Sequence, residues 1–230
     1  MGTPEDSPLS ILRSVIPSLA GKRILDIGCG SGALAAVFAA EGADVIGIDP
    51  NPVAIAAARK QNSGIRFEIG IAEALPFPDD TFDSTIIINA LHHVPAASMD
   101  QALAEVRRVT KPAGFLLIIE PLAEGSYFNA VRMVDDETEI RALAQQALAN
   151  AVNRAVFQRV AGKTYIRHER FADAAAVLKR IVAVSPSRQA VIDANRDAIT
   201  SAVLAAAARD TDGLLAFEQP LKADLLRKAG

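Results

Sequence analysis

The nine residues Ile24-Leu25-Asp26-Ile27-Gly28-Cys29-Gly30-Ser31-Gly32 constrain this chain more than any other stretch. An apolar run carries an acid near its end and gives way to glycines at every second position. The alanine-rich segment from Ala33 to Ala40 follows. Glycine tolerates positive φ and puts no Cβ between the backbone and a ligand. The pattern reads as strand, tight turn and helix. A helix opened in this way offers free N–H groups and a partial positive charge, where a carboxylate or phosphate can rest.

The glycine spacing alone leaves two ligand classes open. Gly28, Gly30 and Ala33 also satisfy the dinucleotide fingerprint G-x-G-x-x-[G/A]. Two features favour a different ligand. A pyrophosphate gains nothing from the carboxylate of Asp26, whereas an ammonium group does. Gly32 extends the run to G-x-G-x-G, which allows close approach over a longer stretch. A ligand with an amino acid end fits both features, and S-adenosylmethionine (SAM) is such a ligand. The next apolar run, Val45-Ile46-Gly47-Ile48-Asp49-Pro50, ends in an acid about 20 residues after the loop, where a carboxylate accepts ribose hydroxyls. This second feature points to a nucleoside without choosing between the two classes.

The wider pattern predicts an α/β fold with a doubly wound, mostly parallel sheet. Candidate strands cover 23–27, 44–48, 65–69, 82–88 and 115–120. Several are unbroken Ile/Val/Leu/Phe runs, as expected for strands buried on both faces. Candidate helices cover 32–41, 52–61 and 98–109, with Asn51 as N-cap and Pro52 as first residue of the second. The expected organisation is a core at 1–121 that includes a short N-terminal arm, a helical cap insertion at 122–212 and a returning strand within 213–230.

Within the insertion, Asp136 and Glu139 resemble a capping box opening a helix. Ile140, Leu143, Ala147, Val152, Val156 and Val160 continue at helical spacing to a stop at Gly162. Further helices are expected over 171–182 and from Pro186 to about Arg209. The apolar stretch 214–226 reads as a late strand, with Pro220 implying an edge position or a bulge.

Composition excludes some classes. The formal net charge of −3 gives no electrostatic reason for a nucleic-acid partner. A single cysteine, Cys29, excludes an internal disulfide framework and a multi-cysteine zinc site. The segment MGTPEDSPLS does not read as a secretory signal, and no window holds the ~18 apolar residues of a membrane span. A cytoplasmic protein is the expectation.

Taken in order, LDIGCGSG, VIGIDP, AEALPFPDDTFD, LHHV, the run from Val106 to Gly114 and the strand end IIEP resemble the class I SAM-dependent methyltransferases. The resemblance is greatest to the small-molecule branch that includes the quinone-biosynthesis C-methyltransferases, and it spans roughly residues 21–121. It implies a seven-stranded sheet with an antiparallel last strand. It also implies SAM as cofactor, S-adenosylhomocysteine as product and methyl transfer to a small-molecule acceptor by in-line displacement. At matching positions Asp26, Gly28, Cys29, Gly30 and Gly32 would hold the methionine end, Asp49 the ribose, and Pro50, Ala72 and Glu73 the adenine. Asn89 would border the methyl donor. The family often has an acid where this chain has Ile71, which leaves adenine to backbone groups near Ala72 and to apolar packing.

His92, His93 and Tyr127 are the candidates for catalytic or acceptor-side groups, since a histidine titrates near neutral pH. For the histidines the competing expectation is a hydrogen-bonded helix start, and for Tyr127 a packed aromatic. Cys29 reads as a space-filler. Asp135, Asp136, Glu137 and Glu139 read as acids complementing a helix dipole rather than as metal ligands. Lys163, Arg167 and Arg170 read as a solvated face. Two further function classes compete with methyl transfer: a nicotinamide-dependent oxidoreductase on a related fold, and a non-catalytic SAM-binding protein.

Overall fold

The computed structural model describes residues 7–229. In chain order the elements are α1 (Pro8–Arg13), β1 (Arg23–Ile27), α2 (Ala33–Ala40), β2 (Asp44–Asp49), α3 (Pro52–Gln61), β3 (Arg66–Ile69), β4 (Phe82–Ile88), α4 (Met99–Val109) and β5 (Thr110–Pro121). They continue as α5 (Ser126–Val131), α6 (Thr138–Asn153), β6 (Phe157–Phe171), α7 (Ala174–Val184), α8 (Arg188–Ala206), β7 (Ala208–Arg209) and β8 (Leu215–Lys228). Two compact units emerge, one from 7–120, 143–163 and 222–229, the other from 121–142 and 164–221.

The first unit holds the parallel part of the α/β sheet. Its sheet order begins β3-β2-β1-β4-β5, and each neighbouring pair among these strands is parallel. Ile24, Leu25, Ile46, Ile48, Ile86, Ile87 and Leu116 to Ile119 are buried, which explains the unbroken apolar runs. The covering helices bury one stripe each: Ala35 and Phe38 from α2, Ile55 and Ala58 from α3, and Met99, Leu103 and Val106 from α4. Each fully buried Ile, Leu or Phe contributes on the order of 1.5–3 kcal/mol of transfer free energy. The Asn51 side chain accepts the N–H groups of Val53 and Ala54 at 2.9 and 3.4 Å, so α3 starts where its cap predicts. In β5 the ladder jumps from Phe82↔Thr110 to Ser84↔Phe115, and the extra residues around Pro112 form an irregularity.

Because the sheet is parallel, the ends of β1, β2, β3, β4 and β5 lie along one rim. Ligands of open α/β sheets bind beyond that rim.

The second unit has its own apolar core. Ala130 and Val134 pack with Val177, Leu178 and Ile181 of α7, Ile192, Ile199 and Val203 of α8, and Leu215 and Phe217 of β8. Helix α8 is kinked at Asn195, where φ is −134° and ψ 25°. The acids grouped in the sequence find basic partners here. Arg188 pairs with Asp135 and Glu137, Arg141 with Glu137, and Arg132 with Asp136. Arg170 pairs with Asp210 and Asp212, and Arg167 with Glu169.

Several expectations for this half of the chain need correction. The segment 122–212 is not helical throughout, because β6 and β7 lie within it. Helix α6 ends at Asn153, so Val156 falls in a loop, Val160 in β6, and Gly162 lies inside a strand rather than ending a helix. Four-residue apolar spacing over 152–160 mimicked a helix, whereas the strand pairs within the sheet, whose order continues β5-β8-β6. The capping box is absent: α6 begins at Thr138, and Asp136 Oδ1 accepts the Thr138 N–H at 3.1 Å in a local turn. Helix α8 stops at Ala206, and Ala208–Arg209 pairs antiparallel with β8. With that short strand the sheet has eight strands instead of seven.

Pro220 is not on an edge strand, since β8 lies between β5 and β6. It supplies no N–H, but its carbonyl accepts the Leu122 N–H at 3.0 Å and the Gln219 side-chain amide at 2.9 Å. The bare α-carbon of Gly125 leaves the space that the Pro220 ring fills.

Candidate functional site

At the end of β1 the chain turns through Gly28, Gly30 and Gly32 with φ of 74°, 54° and 80°. All three sit in the left-handed region that favours glycine. They do different work. A Cβ on Gly28 would collide with Ala90, and one on Gly32 would meet the Phe67 ring at 2.6 Å. A Cβ on Gly30 would meet nothing within 4 Å. Gly28 and Gly32 therefore serve packing, and Gly30 borders open space. Gly32 is the N-cap of α2 and has no side chain to satisfy the first-turn N–H groups.

Asp49 ties the end of β2 to this loop. One carboxylate oxygen accepts the Gly30 N–H at 2.9 Å and the other accepts the Asn51 N–H at 2.9 Å. The Gly28 and Cys29 amides meet the Ile48 carbonyl at 2.8 and 3.1 Å. Gly47 completes the junction, because a Cβ there would strike Phe67 and the Cys29 sulfur. Cys29 is buried, and burial together with the neighbouring carboxylates of Asp26 and Asp49 pushes its thiol far up. A thiol in that state is not a nucleophile, so it fills space as expected.

Asp26 is the unusual group. It is 2% exposed. Its carboxyl is pushed up to about 7, first by burial and then by the Asp49 charge, against the opposing effect of the Ala35 N–H. Its Oδ2 has no hydrogen-bond partner. At the end of β4, Asn89 holds φ of 51°, and its buried Oδ1 likewise has no partner. Buried acceptors left unpaired are destabilising. The two residues lie toward the carboxyl ends of adjacent parallel strands.

Around the rest of the rim, Pro50 is exposed, Ala72 is buried and Glu73 is partly exposed. Ile69 and Ile71 expose apolar side chains, 56% and 46%. Ile71 thus supplies an apolar surface where an acid was the alternative.

Glu120, which sequence reasoning noted only as the end of a strand, organises the neighbouring turn. It is 2% exposed. Its Oε1 accepts the N–H groups of Ala90 and Leu91, both at 2.9 Å, and its Oε2 meets the imidazole Nδ1 of His92. His92 is buried in the short 3-10 turn Leu91–His93, its ring 4.1 Å from that of His93. The hydrogen-bonded helix-start expectation therefore describes His92. The signal that could have exposed Glu120 was an acid closing the otherwise apolar strand Leu116 to Ile119.

Residues 24–114 match the family described as a methyltransferase domain. Over 137 residues it is 36% identical to the demethylmenaquinone methyltransferase of Renibacterium salmoninarum, an alignment covering 59% of this chain and 54% of that protein. Over 140 residues it is 35% identical to the fatty-acid O-methyltransferase of Mycolicibacterium smegmatis, covering 59% of this chain and 47% of that one. The chain thus spans about half the length of these curated relatives. The crystal structure of the YcgJ protein of Bacillus subtilis is similar in fold, with a TM-score of 0.66 at 24% identity over 96% of this chain and 98% of that one.

The matched residues 24–114 include the glycine loop, Asp49, Pro50, Ile71, Ala72, Glu73, Asn89, His92 and His93. Tyr127 lies in the second unit. There it stacks on Phe171 with centroids 6.0 Å apart and meets Phe217 edge-on at 6.0 Å, and burial pushes its phenol upward. Phe128 is buried beneath Arg141, whose guanidinium lies 5.0 Å from the ring. Arg132 is exposed. Among the described residues, no helix is long and apolar enough to cross a membrane.

Proposed function

We propose that this protein is a SAM-dependent methyltransferase acting on a small-molecule acceptor. The observation that carries the reading is the unpaired, buried Oδ2 of Asp26 in β1, just before the turn that carries the open face of Gly30. In this reading Asp26 receives the donor's ammonium, and the loop from Gly28 through Cys29 and Gly30 to Gly32 receives its carboxylate. Asp49 accepts the ribose hydroxyls on the lone pairs left after binding Gly30 and Asn51. Pro50, Ile71, Ala72 and Glu73 border the adenine, and Asn89 borders the methyl end.

Bound SAM would supply a methyl group already activated on a sulfonium. The residues of the chain then contribute chiefly alignment, which in favourable cases is worth ~7–11 kcal/mol. His92 is not assigned as a base, because its ring is buried in the turn that Glu120 holds. The acceptor class is suggested by the relatives named for a demethylated quinone and for a fatty acid, both largely apolar molecules. The acceptor pocket is assigned to residues 122–212, which follow the carboxyl end of β5 in the chain. The net charge of −3 favours no nucleic-acid partner, and a cytoplasmic enzyme is the accompanying reading.

Calorimetric titration with SAM, S-adenosylhomocysteine and NAD tests the donor. Binding of NAD in preference to the other two would replace this reading with the oxidoreductase one. Incubation with labelled SAM and a panel of quinols and fatty acids tests turnover, and tight binding without product would leave a non-catalytic binding protein.

A further inference from the structure

Asp26 is enclosed on every side that the fold controls. In the sheet it lies opposite Gly47 of β2 and Ile86 of β4, neither of which has a polar side chain. Helix α2 offers it the Ala35 amide. The charged or titratable groups acting on it among the described residues are acidic: Asp49 from β2, and the Cys29 thiol of the loop, itself raised by Asp26. Among the described residues no cationic side chain acts on it, and one of its oxygens has no donor. A carboxylate so placed is costly, and a buried acid in this position takes up a proton instead.

We propose that donor binding at this loop exchanges a proton for an ammonium: the ligand-free chain holds Asp26 as the neutral acid, and the ligand's α-ammonium converts it to the carboxylate, sending one proton to solvent. The balance is Asp26–COOH plus R–NH3+ giving the ion pair Asp26–COO−/R–NH3+ plus H+. This rests on the donor site proposed above and adds a pH dependence to it. The carboxyl of the free chain titrates at about 7, and an α-amino group keeps its proton below about 7.7. Below about 7, where the free carboxyl holds its proton and the ligand's amine is ammonium, binding releases the proton, so affinity falls as the solution is acidified, by up to tenfold per pH unit.

The test is titration of the whole chain with S-adenosylhomocysteine at pH 6 in several buffers of different ionisation enthalpy. The slope of observed heat against buffer enthalpy counts the protons. The expected result is release of about one proton per ligand. 5′-Methylthioadenosine, which keeps the nucleoside and lacks the amino acid end, should bind with release near zero. Asp26→Asn, neutral and nearly the same shape, should bind S-adenosylhomocysteine with release near zero. Binding by the wild type without proton release, or equal release with methylthioadenosine, overturns the proposal. Absence of any binding by the wild type would instead refute the donor reading. The methylthioadenosine comparison decides the matter even if Asp26→Asn does not fold.

Discussion

Glu120 meets His92 through the same carboxylate oxygen in two ways, with the backbone N–H at 3.4 Å and with the imidazole Nδ1, while its other oxygen holds the two preceding amides. One side chain, 28 to 30 residues away in sequence, thus fixes the turn that follows β4. Removing it leaves buried N–H groups without an acceptor, each costing ~1–3 kcal/mol. Glu120→Ala is therefore expected to lose roughly 3 kcal/mol or more of stability by urea denaturation. Glu120→Gln, which keeps one acceptor oxygen, should lose clearly less. Equal losses in the two variants would contradict this role.

Gly28 and Gly30 separate folding from binding. A side chain on Gly28 strikes Ala90, so Gly28→Ala should fold poorly. Gly30→Val meets no protein atom near its Cβ but must adopt φ of 54°, at a cost of about 1–3 kcal/mol. It should remain folded by circular dichroism and bind S-adenosylhomocysteine at least 100-fold more weakly. Unchanged affinity in folded Gly30→Val would remove the loop from the donor site.

Asp49 anchors the loop and is assigned to the ribose. Charge-assisted hydrogen bonds contribute about 1.5–3 kcal/mol each, so Asp49→Ala should weaken S-adenosylhomocysteine at least tenfold. A 2′-deoxy analogue should lose affinity for the wild type and change little for Asp49→Ala. Equal binding of ribose and deoxyribose forms by the wild type would exclude the ribose contact.

Asp26 also governs the stability of the ligand-free chain. Its folded value of about 7 lies above the unfolded 3.8. Between those values the folded chain binds a proton that the unfolded chain has released. The stability linked to this proton is present at pH 4 and lost as pH rises through 7. From pH 5 to pH 8 the loss reaches at most ~3 kcal/mol. Asp26→Asn should lack this component, so its stability relative to wild type should rise over the same interval. A pH-independent difference in guanidinium midpoints would argue against it.

Tyr127 distinguishes packing from acceptor contact. Its ring packs, partly buried, against Phe171 and Phe217, and truncating an aromatic costs about 3–5 kcal/mol when it is fully buried. Tyr127→Ala should therefore be destabilised by less than that, and Tyr127→Phe nearly native in melting temperature. If 122–212 supplies the acceptor pocket, Tyr127→Phe or Arg132→Ala should change acceptor turnover while leaving S-adenosylhomocysteine affinity within about twofold, an effect well under 1 kcal/mol. A change in donor affinity with unaltered acceptor kinetics would count against the assignment.

Local chemistry determined much of the first unit. Strands β1 and β4 and helix α3 begin and end where the residues alone predict, because unbroken apolar runs, an Asn-Pro start and glycine turns act over a few residues. The glycine loop and the acid Asp49 closing β2 were legible for the same reason. Strand β6 was not. Its side chains are mostly exposed and carry no period-2 apolar pattern, so what makes it a strand is the backbone ladder of its place in the sheet. Pro220 could not report that β8 is an interior strand, since its neighbours on both sides come from distant segments. The clasp of Glu120 on His92 and the isolation of Asp26 also belong to tertiary structure alone. The residues that bond or fail to bond there are brought together by the crossing of parallel strands, and desolvation depends on what surrounds a group in space rather than on what flanks it in the chain.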